Sequence, residues 1–227
     1  MTTLTEFPPQ LIEYPEADGL PMAESDQTRD YLVYATKLLS VFFGQRLDVY
    51  TSGNLFIYYE QGNPEAVVAP DVFVVFGVEN RQRRIYTVWE EGDRPPNFVL
   101  EITSKTTRSK DQGAKKGIYA FLGVEEYYQY DPTGDYLTPT LQGLRLVDGN
   151  YLTVPTSTLS DGTMVLPSAV LSLELHLKGQ VMRFYNPATQ QYLLTHEEET
   201  AARQTAEERA QRLAAKLREL NIDPDAV

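Results

Sequence analysis

The chain has 227 residues, of which 42% are hydrophobic and 23% charged, so it carries enough apolar side chains to form a folded core. Its 32 Asp and Glu residues outnumber its 20 Lys and Arg residues, and the formal net charge of −12 argues against non-specific coating of long DNA. Cysteine is absent, which excludes disulfides, thiolate nucleophiles and cysteine-ligated metals, and two histidines are too few for a histidine-built metal site.

The N-terminal sequence lacks the basic and apolar regions of a secretion signal. The longest apolar runs are far shorter than the ~20 residues needed to cross a bilayer. We therefore expect a soluble, cytoplasmic protein that does not interact with a membrane. Four prolines indicate an irregular arm over residues 1–21, followed by a folded domain over residues 22–195 and a C-terminal helical tail over residues 196–227.

The first half of the domain predicts one helix followed by short strands. Ser25 and Asp26 can cap a helix over residues 26–43, which Gly44 ends. Runs rich in β-branched and aromatic residues predict strands at residues 47–51, 55–59, 67–76, 85–89 and 98–103. The first two of these runs flank Ser52-Gly53-Asn54, which predicts a hairpin.

The middle of the chain predicts a crossover connection. A helix over residues 110–122, ended by Gly123, lies between strand 98–103 and a strand over residues 126–130. This strand–helix–strand order predicts a mixed α/β sheet rather than a β-sandwich. Further strands, the first two joined in a hairpin, are predicted at residues 144–147, 151–154, 171–177, 181–185 and 191–194.

The C-terminal tail has the pattern of an amphipathic helix. An a/d seam of about two heptads is formed by Ala206, Ala210, Leu213, Leu217 and Leu220. Acidic residues lie at the start of this helix and basic residues near its end, which is the arrangement that the helix dipole favours. The seam could pack on the domain or on a partner, including a second copy in a homo-oligomer; a solvated helix is the alternative.

Two carboxylates stand where apolar residues are expected. Asp71 follows Pro70 within VVAPDVFVVF, and Glu101 interrupts FVLEIT. A buried carboxylate is costly without a partner, so each could pair with an arginine or cap a turn. On adjacent strands the two would instead form an oxygen-rich site for a hard cation such as Mg²⁺, which can bind phosphate and activate water.

These features resemble the PD-(D/E)xK nuclease superfamily, whose signature is a Pro-Asp, an acid on the next core strand and a lysine. The lysine usually follows the acid by two residues, where this chain has Thr103. The stretch SKDQGAKKGIYAFLGVEEYYQYDP is similar to the Uma-type restriction endonuclease family, typical of cyanobacteria, in which the lysine lies on the following helix. Lys115 matches that displaced lysine, with Lys116 as the alternative, and the resemblance covers about residues 21–194.

The resemblance implies an α/β, restriction-endonuclease-like fold: a mixed central β-sheet flanked by helices, with added β-hairpins and a C-terminal helix. It implies metal-dependent hydrolysis of DNA, in which Asp71, Glu101 and the Ile102 carbonyl hold Mg²⁺, or Mn²⁺ as a substitute. Lys115 would activate the water or stabilise the phosphate. Glu24 would position a second ion or a water, although it could equally be a first-turn acid that favours the helix dipole.

Two further features of the sequence bear on this hypothesis in opposite directions. Residues 81–116 contain nine bases and five acids, a local net charge of +4 that would suit phosphate, although such runs are more often a solvated helix face. The net negative charge and the threonine at position 103 favour a different class, a catalytically silent nuclease fold that binds or assembles through its tail.

Tyr119, on the same predicted helix as Lys115, could touch a phosphate or pack in the core.

Overall fold

The structure is a computed structural model that describes residues 12–16, 25–104 and 111–219. Its α-helices are α1 (Asp26–Phe42), α2 (Lys116–Leu122) and α3 (His196–Glu219). A 3₁₀ turn spans Val88–Glu91, and a π-helical turn, Asp111–Lys115, leads directly into α2. No helix in the described part of the chain is both long and apolar enough to span a membrane.

The described strands form three sheets. The central sheet contains, in spatial order, β1 (Val49–Ser52), β4 (Val72–Phe76), β6 (Phe98–Ile102), β7 (Glu126–Tyr130), β8 (Leu141–Val147) and β9 (Asn150–Thr153). A second sheet contains β10 (Ser157–Thr158), β11 (Met164–Ser168), β12 (Leu173–Lys178), β13 (Val181–Asn186) and β14 (Gln191–Tyr192). The third contains β3 (Val67–Val68), β2 (Ile57–Tyr58) and β5 (Tyr86–Thr87).

The central sheet is mixed, as the sequence predicted. Strands β6 and β7 are parallel and are joined through α2, while its other neighbouring strands are antiparallel. The predicted crossover and the mixed α/β fold class are therefore confirmed. The first helix also begins where predicted, because the Ser25 hydroxyl accepts a hydrogen bond of 3.2 Å from the Thr28 N–H.

Side chains alternate between the two faces of the central sheet and so form two hydrophobic clusters. On one face, α1 and the second sheet pack against Val74 and Leu100. On the opposite face, Tyr119 of α2 packs against Phe73 and Val99. The two predicted helices therefore flank the sheet, one on each side.

The hairpin predicted around Ser52-Gly53-Asn54 is wrong. Strand β1 pairs with β4 in the central sheet, whereas β2 pairs with β3 and β5 in the third sheet. The chain turns at Gly53, where a Cβ would lie only 2.2 Å from the Asp71 carbonyl oxygen. Pairing with β4 buries the first two residues of β1, one on each face of the sheet, which an isolated hairpin could not do.

Three other elements differ from the predictions. The single strand predicted over residues 67–76 is divided around Pro70 into β3 and β4, since proline has no N–H to donate to a ladder. The helix predicted over residues 110–122 opens as a π-helical turn. Strands β10 and β11 were not predicted: β10 has only two residues, both polar, and Pro167 interrupts the apolar run of β11. The division into arm, domain and tail stays a prediction.

We expect Gly143→Ala to destabilise the fold by about 1–3 kcal/mol. Gly143 lies in β8 under the second sheet, and a Cβ there would lie 2.9 Å from the Tyr128 ring and 3.0 Å from Leu166. Both neighbours are fully buried, and the Tyr128 hydroxyl is held by the Pro167 carbonyl at 2.6 Å, so neither side chain can move freely.

Gly117→Ala is the matched control for this prediction. Gly117 lies within α2, its backbone is not in the left-handed region, and a Cβ there meets no atom within 4 Å. We expect the free energy of unfolding, measured in urea, to be unchanged or higher in this variant because alanine favours helix more than glycine does. Equal stability of the two variants would contradict the packing described for Gly143.

Candidate active site

The two candidate carboxylates lie side by side on the face of the central sheet that α2 covers. In the antiparallel register of β4 and β6, Val72 is opposite Leu100, which places Asp71 opposite Glu101. Both are buried, with relative exposures of 7% for Asp71 and 0% for Glu101. The structure therefore brings together two acids that are 30 positions apart in the sequence.

Each carboxylate is held by a small number of donors. The Ile102 N–H donates to Asp71 Oδ2 at 2.7 Å, and the Asp71 N–H lies 3.4 Å from Glu101 Oε2. The Lys115 ammonium donates to the same Oε2 at 2.8 Å, while the Tyr119 hydroxyl donates to Oε1 at 2.5 Å. One ammonium thus contacts one member of a pair of buried acids.

The electrostatics of this pair disfavour two full negative charges. Burial raises the pKa of Asp71 well above its ordinary value, and the negative charge of Glu101 raises it further. Lys115 and the Ile102 N–H lower that pKa without offsetting the rise. Burial and the charge of Glu101 also raise the pKa of Tyr119 well above its ordinary value, so its hydroxyl remains protonated and can donate.

Two other buried carboxylates, Glu126 and Asp131, provide a comparison because their hydrogen-bond partners are all N–H and O–H donors. Glu126 accepts hydrogen bonds from the Arg145 guanidinium at 2.7 and 3.1 Å and from Ser168 Oγ. It also accepts them from the N–H groups of the two residues after Ser168. Asp131 accepts bonds from the Thr133 hydroxyl and from four backbone N–H groups between residues 133 and 137. Neither acid faces another carboxylate in these contacts, which distinguishes Asp71 and Glu101.

Lys115 reaches the carboxylates from the last position of the π-helical turn. Its side chain is 16% exposed, so the ammonium lies near the rim of the site while its partner Glu101 is fully buried. Tyr119, one helical turn later on α2, points to the same carboxylate. The sequence predicted Lys115 as the candidate, with Lys116 as the alternative, and in the structure Lys115 contacts Glu101.

The remaining predicted residues are only partly placed. Ile102 is at the site, where its N–H contacts Asp71, and the role of its carbonyl as a metal ligand stays a prediction. Glu24 lies outside the described residues. Within residues 12–16, 25–104 and 111–219, no group of three or more His, Cys, Asp or Glu side chains could hold a metal ion.

Three of the described arginines in residues 81–116 are paired with acids. Arg81 and Arg83 both contact Glu91 at 2.7 Å, and Arg84 contacts Glu16 at 2.6 Å. These ion pairs neutralise their charge locally. Three of the other bases in the window lie outside the described residues: Lys105, Arg108 and Lys110.

A surface groove of about 380 Å³ lies away from the carboxylates. It is formed by α1, β13 and the start of α3, and its lining, which includes Tyr31, Tyr34 and Arg183, is largely apolar. Among the described residues, Asp71, Glu101, Ile102 and Lys115 do not line it.

Comparison with known proteins gives one family. The family model named Uma2 and described as "Putative restriction endonuclease" matches residues 5–178. Among solved structures, the chain is similar to a putative nuclease of the DUF820 family from Anabaena variabilis, with 12% identity and a TM-score of 0.48 over 66% of this chain and 76% of that chain. No curated protein sequence matches the chain.

We expect Asp71→Asn to raise the melting temperature of the metal-free protein at pH 8. Because the pKa of Asp71 is raised by folding, the folded state binds this proton more tightly than the unfolded chain does. Stability therefore falls as pH rises from about 3.9, the ordinary aspartate pKa, towards the raised value. Asparagine removes the charge, so its advantage should disappear near pH 3.

Asp131→Asn is expected to act in the opposite direction, with a loss of about 2–4 kcal/mol at pH 8. Burial alone would raise the pKa of Asp131, but hydrogen bonds from Thr133 and from the Tyr136 and Leu137 N–H groups hold it below its ordinary value. The resulting stability is present above pH 3.9 and is lost as pH falls through the lowered pKa. Thermal denaturation of both variants from pH 3 to pH 8 measures this contrast, and the same sign for both at pH 8 would contradict it.

Proposed function

The chain belongs to the Uma2 family of putative restriction endonucleases, and we propose that it is a metal-dependent endonuclease that hydrolyses DNA phosphodiester bonds. The family supplies the nuclease class, whereas the metal and the DNA substrate are inferred from the chemistry of the site. The observation that carries the inference is the contact of Lys115 with one member of a buried carboxylate pair. We also propose a cytoplasmic location.

The residues at the site fit a hard divalent cation. The Asp71 and Glu101 side chains, with the Ile102 carbonyl, would hold Mg²⁺, or Mn²⁺ in its place, because such cations prefer oxygen ligands. The pKa of Asp71 is raised by burial and by repulsion from Glu101, and Lys115 does not offset this rise. A doubly charged cation bound at the site would offset it. Bound there, the cation would lower the pKa of a water and neutralise charge on the leaving oxygen.

The protein groups around the carboxylates would have separate roles. Lys115 would orient the attacking water or stabilise the negative charge of the pentavalent phosphate, in which the bond from water to phosphorus forms as the ester bond breaks. Tyr119, protonated and bonded to Glu101 Oε1, would hold that carboxylate in place and leave Oε2 for Lys115 and the cation. Glu24 would position a second ion or a water.

We expect the purified chain to cut DNA with Mg²⁺ or Mn²⁺, and Asp71→Ala and Glu101→Ala to lose both cleavage and metal binding. Supercoiled, linear and single-stranded DNA should be tested. Mn²⁺ should stabilise the wild-type protein by about 2.7 kcal/mol at 100 times its Kd, and neither variant should gain this. Intact DNA in every form, or an equal thermal shift in all three proteins, would refute the proposal.

Lys115→Ala and Lys116→Ala form a matched pair for the role of the lysine. Since Lys115 contacts Glu101, its removal should lower kcat by about 100-fold or more while Mn²⁺ still stabilises the protein. Lys116→Ala should keep most of the activity. Loss of cleavage in Lys116→Ala alone would move the catalytic role to that residue.

The alternative function, assembly through the tail, is favoured by the exposure of α3. Thr195 caps this helix reciprocally with Glu198, and Arg183 holds Glu198 at 2.6 Å, so the helix is fixed to the domain at its start. Beyond that point nearly every described residue is exposed, including Leu213 at 54%. A 24-residue helix with so little packing is marginal in water, which favours a partner.

The charges along α3 suit a second copy of the chain in antiparallel orientation. Residues 197–208 carry five acids and one base, a charge of −4, whereas residues 209–219 carry four bases and one acid, a charge of +3. An antiparallel pair would set each acidic half against a basic half, with the Ala/Leu seam between them. The tail would then serve self-association, with or without cleavage.

We expect the full chain to have twice its 25.7 kDa mass in solution, and Leu213→Glu/Leu217→Glu or removal of residues 197–227 to give a single chain. Light scattering after gel filtration measures the mass. The double substitution should leave the melting temperature of the domain nearly unchanged, because both leucines lie on the projecting helix. A wild-type mass of one chain at micromolar concentration would remove the assembly role.

A further inference from the structure

Two buried polar groups beside the carboxylate pair have no hydrogen-bond partner among the described residues. They are the Thr103 hydroxyl and the Gln129 side-chain amide nitrogen. Thr103 is fully buried and Gln129 is 4% exposed, so bulk water does not readily satisfy them. Leaving such a group unpaired costs about 1–3 kcal/mol, which indicates that a small polar ligand belongs there.

Both groups lie on the face of the sheet that carries the carboxylates. Thr103 follows Glu101 by two positions, and its N–H continues the parallel ladder by donating to the Tyr130 carbonyl at 2.7 Å, so its side chain shares the face of Glu101. Gln129 is the register partner of Glu101 on β7. Its side chain lies on the same face as Tyr127, which packs in the cluster under α2.

The chemistry of these groups selects the ligand. A threonine hydroxyl can donate and accept, an amide NH₂ donates, and the adjacent carboxylate accepts, which together satisfy the two to four partners that a buried water requires. The near-complete burial of both residues suits a single water better than a bulky phosphate.

We propose that Thr103 and Gln129 hold a water molecule beside Asp71 and Glu101, and that this is the water used in hydrolysis. The inference rests on the proposed nuclease function and deepens it by assigning two further residues to the site. With a cation bound by the carboxylates, the same water would complete its oxygen shell. Thr103 and Gln129 would then tune metal affinity as hydrogen-bond partners of that shell.

The test compares Thr103→Val and Gln129→Met with wild type in the full-length protein. Mn²⁺ affinity is measured by titration calorimetry, and kcat and KM are measured with a DNA duplex. We expect Mn²⁺ affinity to fall about 10- to 100-fold and kcat to fall in the same range, with KM for DNA changed less than about threefold. Thr103→Ser, which keeps the hydroxyl, should retain wild-type affinity.

Thr51→Val is the matched control. Its hydroxyl is also buried without a partner among the described residues, but it lies on the opposite face of the sheet, because Thr51 shares the orientation of Val49, which packs in the cluster against α1. This variant should bind Mn²⁺ and cut DNA as wild type does. Thr51→Val should not lower the melting temperature of the metal-free protein, since it loses a buried hydroxyl that has no partner among the described residues.

The outcomes separate this inference from the proposed function. If the wild-type protein binds Mn²⁺ and cuts DNA, and Thr103→Val and Gln129→Met bind Mn²⁺ with unaltered affinity, the inference is overturned. The proposed nuclease function would then still stand. Wild-type protein that neither binds Mn²⁺ nor cuts DNA would overturn the proposed function and the inference with it. Equal losses in Thr51→Val would also overturn the inference, because the effect would not depend on the face of the sheet.

Discussion

The candidate site depends on the burial of two carboxylates that face each other across β4 and β6, with Lys115 in contact with Glu101. The register of the two strands places Asp71 opposite Glu101, and α2 covers both. The consequence is a raised pKa for Asp71, which means that folding works against its ionisation. A protein tolerates such a pair when something other than stability requires it, and a bound cation is the simplest requirement that the oxygen donors satisfy.

Burial of acids alone would not identify this site. Glu126 and Asp131 are as deeply buried, yet each accepts hydrogen bonds from several N–H and O–H donors. Asp71 and Glu101 differ because they lie next to each other and on the same face as Thr103 and Gln129, two polar side chains with a buried atom that has no partner among the described residues. Two buried carboxylates and two such groups therefore share one face of β4, β6 and β7.

The position of the lysine follows from the same constraint. At position 103 an ammonium would be fully buried, whereas on the turn before α2 the Lys115 side chain retains 16% exposure while still contacting Glu101. A partly exposed ammonium loses less hydration than a fully buried one. The crossover from β6 through α2 to β7 makes this placement possible, since it returns the chain over the face that carries Glu101.

The sequence by itself determined the mixed α/β class, the first helix with its Ser25 cap, the crossover unit and the carboxylates and lysine of the site, because side-chain periodicity and short motifs are local properties. It did not determine that β1 pairs with β4 instead of forming the predicted hairpin. Strand pairing depends on which surfaces are buried against each other by segments far apart in the sequence. It also could not place Tyr119 on Glu101, show that the Lys115 ammonium contacts Glu101, or bring Gln129 beside Glu101. Only the tertiary structure decided these, because hydrogen bonding and burial of charge are set by neighbours that the chain order does not reveal.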